Sequence, residues 1–217
     1  EEGRDINTWY MRKWAGVKSE DGTPQWEVIN TATGEKTFTG NYAAASLQLA
    51  GTATPQYFGG INTNLSYRDW TLSGNMAFSH GLLVYNGGRE LFDSDGAYAT
   101  YNQMQLKDGW SRWTPENRNA THPQAFYGGN NRSNGVSSRY LEDGSYFRLR
   151  NVALSYKLNG KLLDRLKVKG IAASVSFDNV FTMTKYSGMD PEAAANGSTT
   201  SPYPLPKRVM FGIDVKF

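Results

Sequence analysis

The chain contains no cysteine among its 217 residues. Without thiols it forms no disulfides and no thiolate metal site, and cysteine-based catalysis is excluded. Long apolar runs are also missing: hydrophobic residues make up 39% of the sequence and the mean hydropathy is −0.58. No stretch approaches the roughly 18 apolar residues of a membrane-spanning helix. The net charge of +3 is too small and too scattered to indicate nucleic-acid binding.

A catalytic constellation is missing as well. The two histidines, His80 and His122, lie far apart, and neither has a nucleophile at a motif spacing. The glycine pairs lack the lysine and helix pattern of a phosphate-binding loop. Asp93-Ser-Asp95-Gly96 is like the start of a calcium loop, but the third ligand and the closing glutamate are missing. The sequence therefore predicts a protein that is not an enzyme and that has no cofactor and no metal site.

The most informative feature that the sequence does contain is a strand of alternating apolar and polar residues at 207–217. At about 3.3 Å per residue and a tilt near 45°, eleven residues project to about 25 Å, the height of the lipid-facing band of a transmembrane β-barrel. The same alternation fits a half-buried strand in a soluble sandwich. After Lys207, five residues of one parity are apolar and the five of the other parity include the charged residues and a glycine: Val209, Phe211, Ile213, Val215 and Phe217 against Arg208, Met210, Gly212, Asp214 and Lys216.

Aromatic residues and glycine are abundant, at 13% and 23 residues respectively. Polar bulk with these enrichments is typical of a barrel that has a wet interior and aromatic girdles at the membrane surfaces. A soluble β-protein that stacks aromatic rings on sugars has the same composition. Composition therefore leaves both classes open.

Period-two counting predicts six strands. The first is weakly alternating. In the fourth, Arg148 and Arg150 share the parity of the apolar residues, so this strand either starts above the lipid or carries a bulge. The six candidate strands are 6–15, 59–68, 70–80, 146–158, 168–181 and 207–217.

The links between these strands alternate in length. Residues 68–70 and 159–167 form short links, whereas 16–58, 82–145 and 182–206 are long. Within residues 87–113 we expect one or two short helices, around 96–105. Bacterial barrels have short periplasmic turns and long extracellular loops. If the last strand ends on the periplasmic side, every short link falls there and every long one outside.

Two groups of side chains are candidates for contact with a substrate. An aromatic group in a long loop suits stacking on sugars, gripping a peptide or docking a partner, although a long ordered loop also needs a core of its own, which is the interpretation we favour. A polar group on the strands is expected to face the lumen, where it suits sugar hydroxyls and peptide backbone alike. The aromatic group is Tyr98, Tyr101, Trp110, Trp113, Phe126 and Tyr127, and the lumen-facing group is Asn62, Asn64, Asn75, Arg208, Asp214 and Lys216.

Three motifs carry a resemblance to a known family. Residues 143–156, DGSYFRLRNVALSY, closely resemble the "DGSYLRLKNVTLGY" signature of the SusC/RagA family of TonB-dependent outer-membrane transporters. Residues 175–192 resemble that family's "GQNLFTWTKYKGYDPE", and residues 203–208 with the terminal Phe217 follow in the family's order. The departures are Phe147 in place of leucine, and Phe177-Asp178 in place of Gly-Gln.

The resemblance implies a large all-β transmembrane barrel of about 22 antiparallel strands. It also implies import of glycans or oligopeptides with energy relayed by TonB, a SusD-like surface lipoprotein as a lid, and the outer membrane of a Gram-negative bacterium as the location. Phe217 resembles the terminal aromatic residue that the barrel-assembly machinery recognises.

Six strands do not close such a barrel, and open edges are not tolerated in lipid. Residues 1–217 are therefore expected to be the C-terminal part of the barrel, with the plug domain, the TonB-contacting segment and the other strands as partners beside the lipid bilayer. Residues 1–5 show no signal peptide. The alternatives are a secreted carbohydrate-binding β-sandwich and a passive porin or adhesin.

Overall fold

The computed structural model describes residues 2–158, 163, 167–194, 196–199 and 203–217. Strands dominate within these ranges, and no helix there is long and apolar enough to cross a membrane. The elements are β1 (Thr8–Arg12), β2 (Trp14–Val17), β3 (Pro24–Ile29), β4 (Lys36–Thr39), β5 (Leu47–Thr52), β6 (Tyr57–Tyr67), β7 (Trp70–His80), β8 (Leu83–Asn86), α1 (Gly87–Phe92), β9 (Leu141–Asp143), β10 (Tyr146–Leu158), β11 (Gly170–Thr184), β12 (Ser198–Thr199) and β13 (Arg208–Lys216), with short 3₁₀ helices at Tyr42–Ala44, Ser138–Tyr140 and Pro191–Ala193.

The chain divides into two compact units. The sheet unit comprises Pro55–Leu82, Gly144–Pro191 and Tyr203–Phe217. The loop unit comprises Glu1–Thr54, Leu83–Asp143 and Glu192–Pro202.

The sheet unit is an antiparallel sheet in the order β13-β11-β10-β7-β6. Each pair of neighbours is also consecutive among these five strands along the chain, as in the wall of an up-and-down barrel. The link between β6 and β7 is only Arg68-Asp69, with Arg68 at a φ of 52° in the left-handed region, and Tyr67 lies opposite Trp70. Five of the six predicted strands thus form one meander, which confirms the predicted all-β class.

Register places the apolar residues of all five strands on one face. Phe211 lies opposite Val175, which pairs with Leu154, and Leu154 pairs in turn with Leu72. Leu72 lies opposite Leu65, so the apolar row crosses the whole sheet. Phe211 is 84% exposed, and the described residues leave this face uncovered. A large exposed apolar face of this kind is typical of a surface that contacts a membrane or another protein.

The register of β10 shifts between Leu149 and Asn151 relative to both of its neighbours, β7 and β11. Leu149 pairs with Met76 and Asn151 with Asn75, so Arg150 is an extra residue in β10. A bulge of this kind reverses the side-chain parity of a strand. The two open interpretations of the arginine parity are thereby decided: β10 carries a bulge, and Arg148 lies on the polar face.

Two sequence expectations differ from the structure. The candidate strand at residues 6–15 splits into β1 and β2, which belong to the loop unit. A short helix does occur within residues 87–113, but its expected position around 96–105 is wrong, because α1 begins earlier, after the capping residue Asn86. Asp95 and Gly96 adopt φ of 51° and 89°, so the chain turns there and no helix continues. The link at residues 159–167 lies largely outside the described residues.

The loop unit has two small aromatic cores. Trp26 is fully buried and contacts Trp14 and Tyr42 edge to face, with ring centroids 5.6 and 5.4 Å away. Such pairs stabilise beyond their buried area. The second core joins Met11, Tyr85 and Tyr140. The long segments of the chain are therefore folded around their own cores.

Candidate functional site

The polar face of the sheet brings the predicted lumen residues together. Asn75 donates a side-chain hydrogen bond to Asn62 on the neighbouring strand, and Asn64 lies opposite Ser73. Asn75 also pairs across the sheet with Asn151. Because residues directly opposite each other share a face, these amides and hydroxyls form one continuous surface.

The other three predicted residues lie on β13, at the outer edge of the same face. Arg208 is opposite Asp178, Asp214 is opposite Ala172, and Lys216 is opposite Gly170. All three predicted side chains are exposed. The surface is thus mostly neutral hydrogen-bonding groups with a few charges towards its edge, a chemistry that serves sugars and peptides equally.

Arg148 is a residue for which the sequence left two interpretations open. The bulge turns it to the polar side, where its Nη2 donates to Asp190 Oδ1 at 2.5 Å and its Nε donates to Thr182 Oγ1 at 3.0 Å. Arg148 and Asp190 are 4% and 6% exposed. A buried pair of this kind fixes the segment that carries the carboxylate, because separating it leaves an uncompensated charge.

Buried charges also organise the loop unit. Arg89 Nη2 donates to Asp93 Oδ2 at 2.7 Å, and Arg139 bonds both Asp93 and Asp95. Asp95 additionally accepts from Arg112 at 2.6 Å. Both carboxylates are essentially inaccessible to solvent. The calcium-like motif is therefore turned inward onto guanidinium groups, and no group of three or more candidate metal ligands occurs in the described ranges.

The pKa of Asp93 reflects this setting. Burial alone would raise it, but the hydrogen bond from His122 and the charges of Arg139 and Arg89 outweigh burial and hold the pKa below its ordinary value of 3.8. The carboxylate is charged at neutral pH and acts as an acceptor for these donors.

The aromatic candidates separate into buried and exposed side chains. Trp113 is 7% exposed, and its Nε1 donates to the Ser19 carbonyl at 3.0 Å. Trp110 is half-buried under the Arg89 guanidinium, whose carbon lies 4.5 Å from the ring centroid. These two rings pack inside the loop unit.

The remaining four aromatic candidates lie at or near the surface. Tyr98 is half-buried and meets Tyr101 edge to face at 5.9 Å, while Tyr101 is 51% exposed. Phe126 and Tyr127 are 48% and 93% exposed. Phe217 follows the last residue of β13 and is also exposed. No contact tests the proposed roles of these side chains, so those roles stay predictions.

The chain is similar to three receptors of Formosa agariphila. It is 26% identical to TonB-dependent receptor P3 over 239 residues, an alignment that covers 100% of this chain and 22% of the relative. TonB-dependent receptor P26 is 27% identical, over 77% of this chain and 17% of the relative. TonB-dependent receptor P39 is 24% identical, over 81% of this chain and 17% of the relative. No family model matches the chain.

The chain is also similar to solved structures of an importer. The RagAB peptide importer in its closed-closed state superposes with a TM-score of 0.80 and 26% identity, covering 96% of this chain and 23% of that one. A structure of the RagAB peptide transporter also has a TM-score of 0.80 and 26% identity, covering 97% of this chain and 23% of that one. The chain thus spans about a quarter or less of the length of these relatives.

The relatives are receptors and importers, and the motifs, the meander and the two-faced sheet agree with them. The chain therefore has the sequence motifs and the fold of the SusC/RagA-type TonB-dependent receptors to which it is similar.

Proposed function

We propose that the chain supplies part of the barrel wall and of the extracellular loops of a TonB-dependent importer in the outer membrane of a Gram-negative bacterium. The observation that carries this proposal is the five-stranded meander, with one exposed apolar face and one polar face. The apolar face meets lipid, the polar face lines the lumen, and the remaining strands and the plug complete the barrel.

Oligopeptides are the substrate class that we favour over glycans. The solved relative RagAB, at 26% identity in two of its structures, is described as a peptide importer and as a peptide transporter. The amides of Asn62 and Asn75 offer both donors and acceptors, so the polar face can pair with a peptide backbone as well as with sugar hydroxyls. Energy for uptake comes from TonB through parts of the receptor outside these 217 residues.

A SusD-like lipoprotein is the proposed partner on the outer side. The loop unit is folded around its own cores and presents exposed aromatic side chains, among them Phe126 and Tyr127. Aromatic residues are enriched in protein interfaces. The loop unit therefore serves as the surface on which the lid rests.

Cysteine labelling tests the two faces, because these 217 residues contain no cysteine of their own. Ile213 and Asp214 are adjacent and lie on opposite faces of β13. In intact outer membranes, with cysteines elsewhere in the receptor replaced, a water-soluble maleimide should label Asp214→Cys. Ile213→Cys should stay unlabelled until denaturation exposes it.

Equal labelling at both positions in intact membranes would favour the soluble sandwich and refute the barrel wall. Uptake of a fluorescent peptide that continues after deletion of TonB would instead indicate a passive porin. Cysteine labelling thus tests the membrane topology, and uptake without TonB tests the energy source.

A further inference from the structure

The C-terminal end of β11 extends beyond its pairing with β13. The pairing of β11 with β13 ends at Asp178 opposite Arg208, whereas its pairing with β10 continues to Thr184 opposite Tyr146. Among the residues that the structure describes, 179–184 therefore have a strand neighbour on one side only. At about 3.3 Å per residue, this edge is roughly 20 Å long.

Two prolines explain why residues 203–207 do not pair with this edge. The segment before β13 contains Pro204 and Pro206, which have no backbone N–H to donate to a neighbouring strand. Asn179 instead donates its side-chain Nδ2 to the Pro206 carbonyl at 2.8 Å. The segment thus runs beside the edge without pairing with β11 as a strand.

A cavity of about 370 Å³ lies between this edge and the proline segment. Its size is near the lower end of ligand sites, at roughly 300–1,000 Å³. Three apolar side chains in its wall are exposed: Phe181, Met189 and Leu205 are 42%, 65% and 52% accessible. The cavity therefore offers apolar contact as well as backbone groups that have no strand neighbour within the described part of the chain.

The charge of the cavity is positive. Arg148 and Asp190 belong to its wall but neutralise each other. Lys207 also lines the wall, is exposed, and has no ion-pair partner in the part of the chain that the structure describes. A carboxylate is the complementary group.

We propose that this edge and cavity form a docking subsite for an extended oligopeptide that carries a carboxylate. The inference rests on the proposed importer and adds a site to it. The peptide backbone adds as a strand to residues 179–184, its carboxylate binds Lys207, and an apolar side chain packs against Phe181 and Leu205. Strand addition supplies affinity without sequence selection, and Lys207 supplies a preference for acidic peptides.

The first test measures charge preference on the purified intact receptor by fluorescence anisotropy. The probes are labelled octapeptides of alanine, serine and threonine with blocked ends and one central glutamate or glutamine, and the glutamine peptide with a free C-terminal carboxylate. We expect a carboxylate in either place to lower Kd by about tenfold, roughly the effect of one charge-assisted hydrogen bond. The two carboxylate peptides tell the side chain from the terminus.

Variants connect that preference to the site. Lys207→Ala should abolish it and Lys207→Arg should keep it. Lys185→Ala is the matched control, since Lys185 is also exposed but does not line the cavity. A neutral peptide that binds as tightly as the acidic ones, or a preference that survives in Lys207→Ala, would overturn the subsite.

The second test addresses strand addition. Methylating backbone nitrogens one at a time along the glutamate peptide should weaken binding at every second residue, because alternate N–H groups face the receptor strand. A uniform effect would refute strand addition. An oligosaccharide of uronic acids that binds with the same Lys207 dependence, while the peptides do not, would overturn the peptide assignment. Cysteine labelling at Ile213 and Asp214 is independent of Lys207, so the importer proposal stands or fails separately.

Discussion

Single residues in the loop unit show how an aromatic-rich, polar segment becomes ordered. Asp95 is fully buried and accepts hydrogen bonds from Arg112, Ser133 and Arg139. Removing one partner from such a cluster typically costs about 3–5 kcal/mol, because a buried charge is left uncompensated. The cluster therefore specifies one arrangement of segments that lie 44 residues apart in the sequence.

Acid should lower the stability of the loop unit, because the pKa of Asp93 is lowered in the folded state. Since the folded state holds the pKa of Asp93 below its ordinary 3.8, the ionised carboxylate contributes stability that is present above that value. The contribution is lost as the pH falls below 3.8 and through the lower folded pKa. Hydrogen exchange of residues 89–97 in the intact receptor, corrected for intrinsic rates, should show protection that falls below about pH 4.

Two variants separate Asp93 from a general effect of acid. Asp93→Asn should be less protected at neutral pH and should change less on acidification, since it has no proton to take up. Asp108→Asn alters an exposed carboxylate of the same unit and should behave like the wild type. If Asp93→Asn keeps the full acid response, the carboxylate is not its source.

At the scale of elements, the strands of the sheet follow from local pattern, whereas its irregularities do not. Alternation in residues 59–80 and 207–217 is a property of neighbouring residues, so counting parity found these strands and their faces. The extra residue Arg150 is visible only against the partners Met76 and Asn75. For this reason the burial of Arg148 with Asp190 was not predictable from β10 alone.

Of the two candidate sites, the polar row could be predicted from the sequence, whereas the burial of the aromatic residues could not. The polar row holding Asn62 and Asn75 followed from parity, because register brings equal parities together. The sequence did not separate the buried from the exposed aromatic residues: Trp113 and Tyr127 are both amphipathic aromatics, and only contacts with segments as distant as Ser19 bury Trp113. Long-range packing of irregular segments has no sequence period to reveal it.

A charge on the apolar face of β10 tests which face meets lipid. Leu154 lies in the apolar row between Leu72 and Val175, and its neighbour Ala153 faces Ser73 and Ser176 on the polar side. Leu154→Arg should destabilise the intact receptor in phospholipid vesicles by roughly 2–4 kcal/mol, as for arginine on the lipid face near the bilayer midplane. Guanidinium unfolding measures the difference.

The matched control is Ala153→Arg, one residue away on the opposite face. Its guanidinium enters a polar, wet surface, so we expect a change within about 0.5 kcal/mol. A larger loss for Ala153→Arg than for Leu154→Arg would reverse the assignment of the two faces.

At the scale of the whole molecule, the folded loop unit presents exposed aromatic side chains from firmly held backbone. Phe126 N–H donates to the Asp95 carbonyl at 3.1 Å, and Gly128 N–H donates to the Gly96 carbonyl at 3.0 Å. A side chain on Gly96 would clash with the Phe126 carbonyl, only 2.1 Å from an added Cβ. The segment that carries Tyr127 is thus attached to the buried charge cluster through its backbone, and a surface held in place binds with a smaller entropy cost.

Serine at both Phe126 and Tyr127 should therefore weaken binding of the proposed SusD-like lid to the intact receptor. Exposed aromatic anchors contribute about 2 kcal/mol or more when they lie at the centre of an interface, so a loss of at least tenfold in affinity is expected from surface plasmon resonance. Because neither side chain is buried, hydrogen exchange of residues 89–97 should stay unchanged, which separates lost contact from lost folding. Phe38→Ser is the control, since Phe38 is 62% exposed on β4 in the same unit. If Phe38→Ser weakens the lid while the double variant does not, the lid rests on another part of the loop unit.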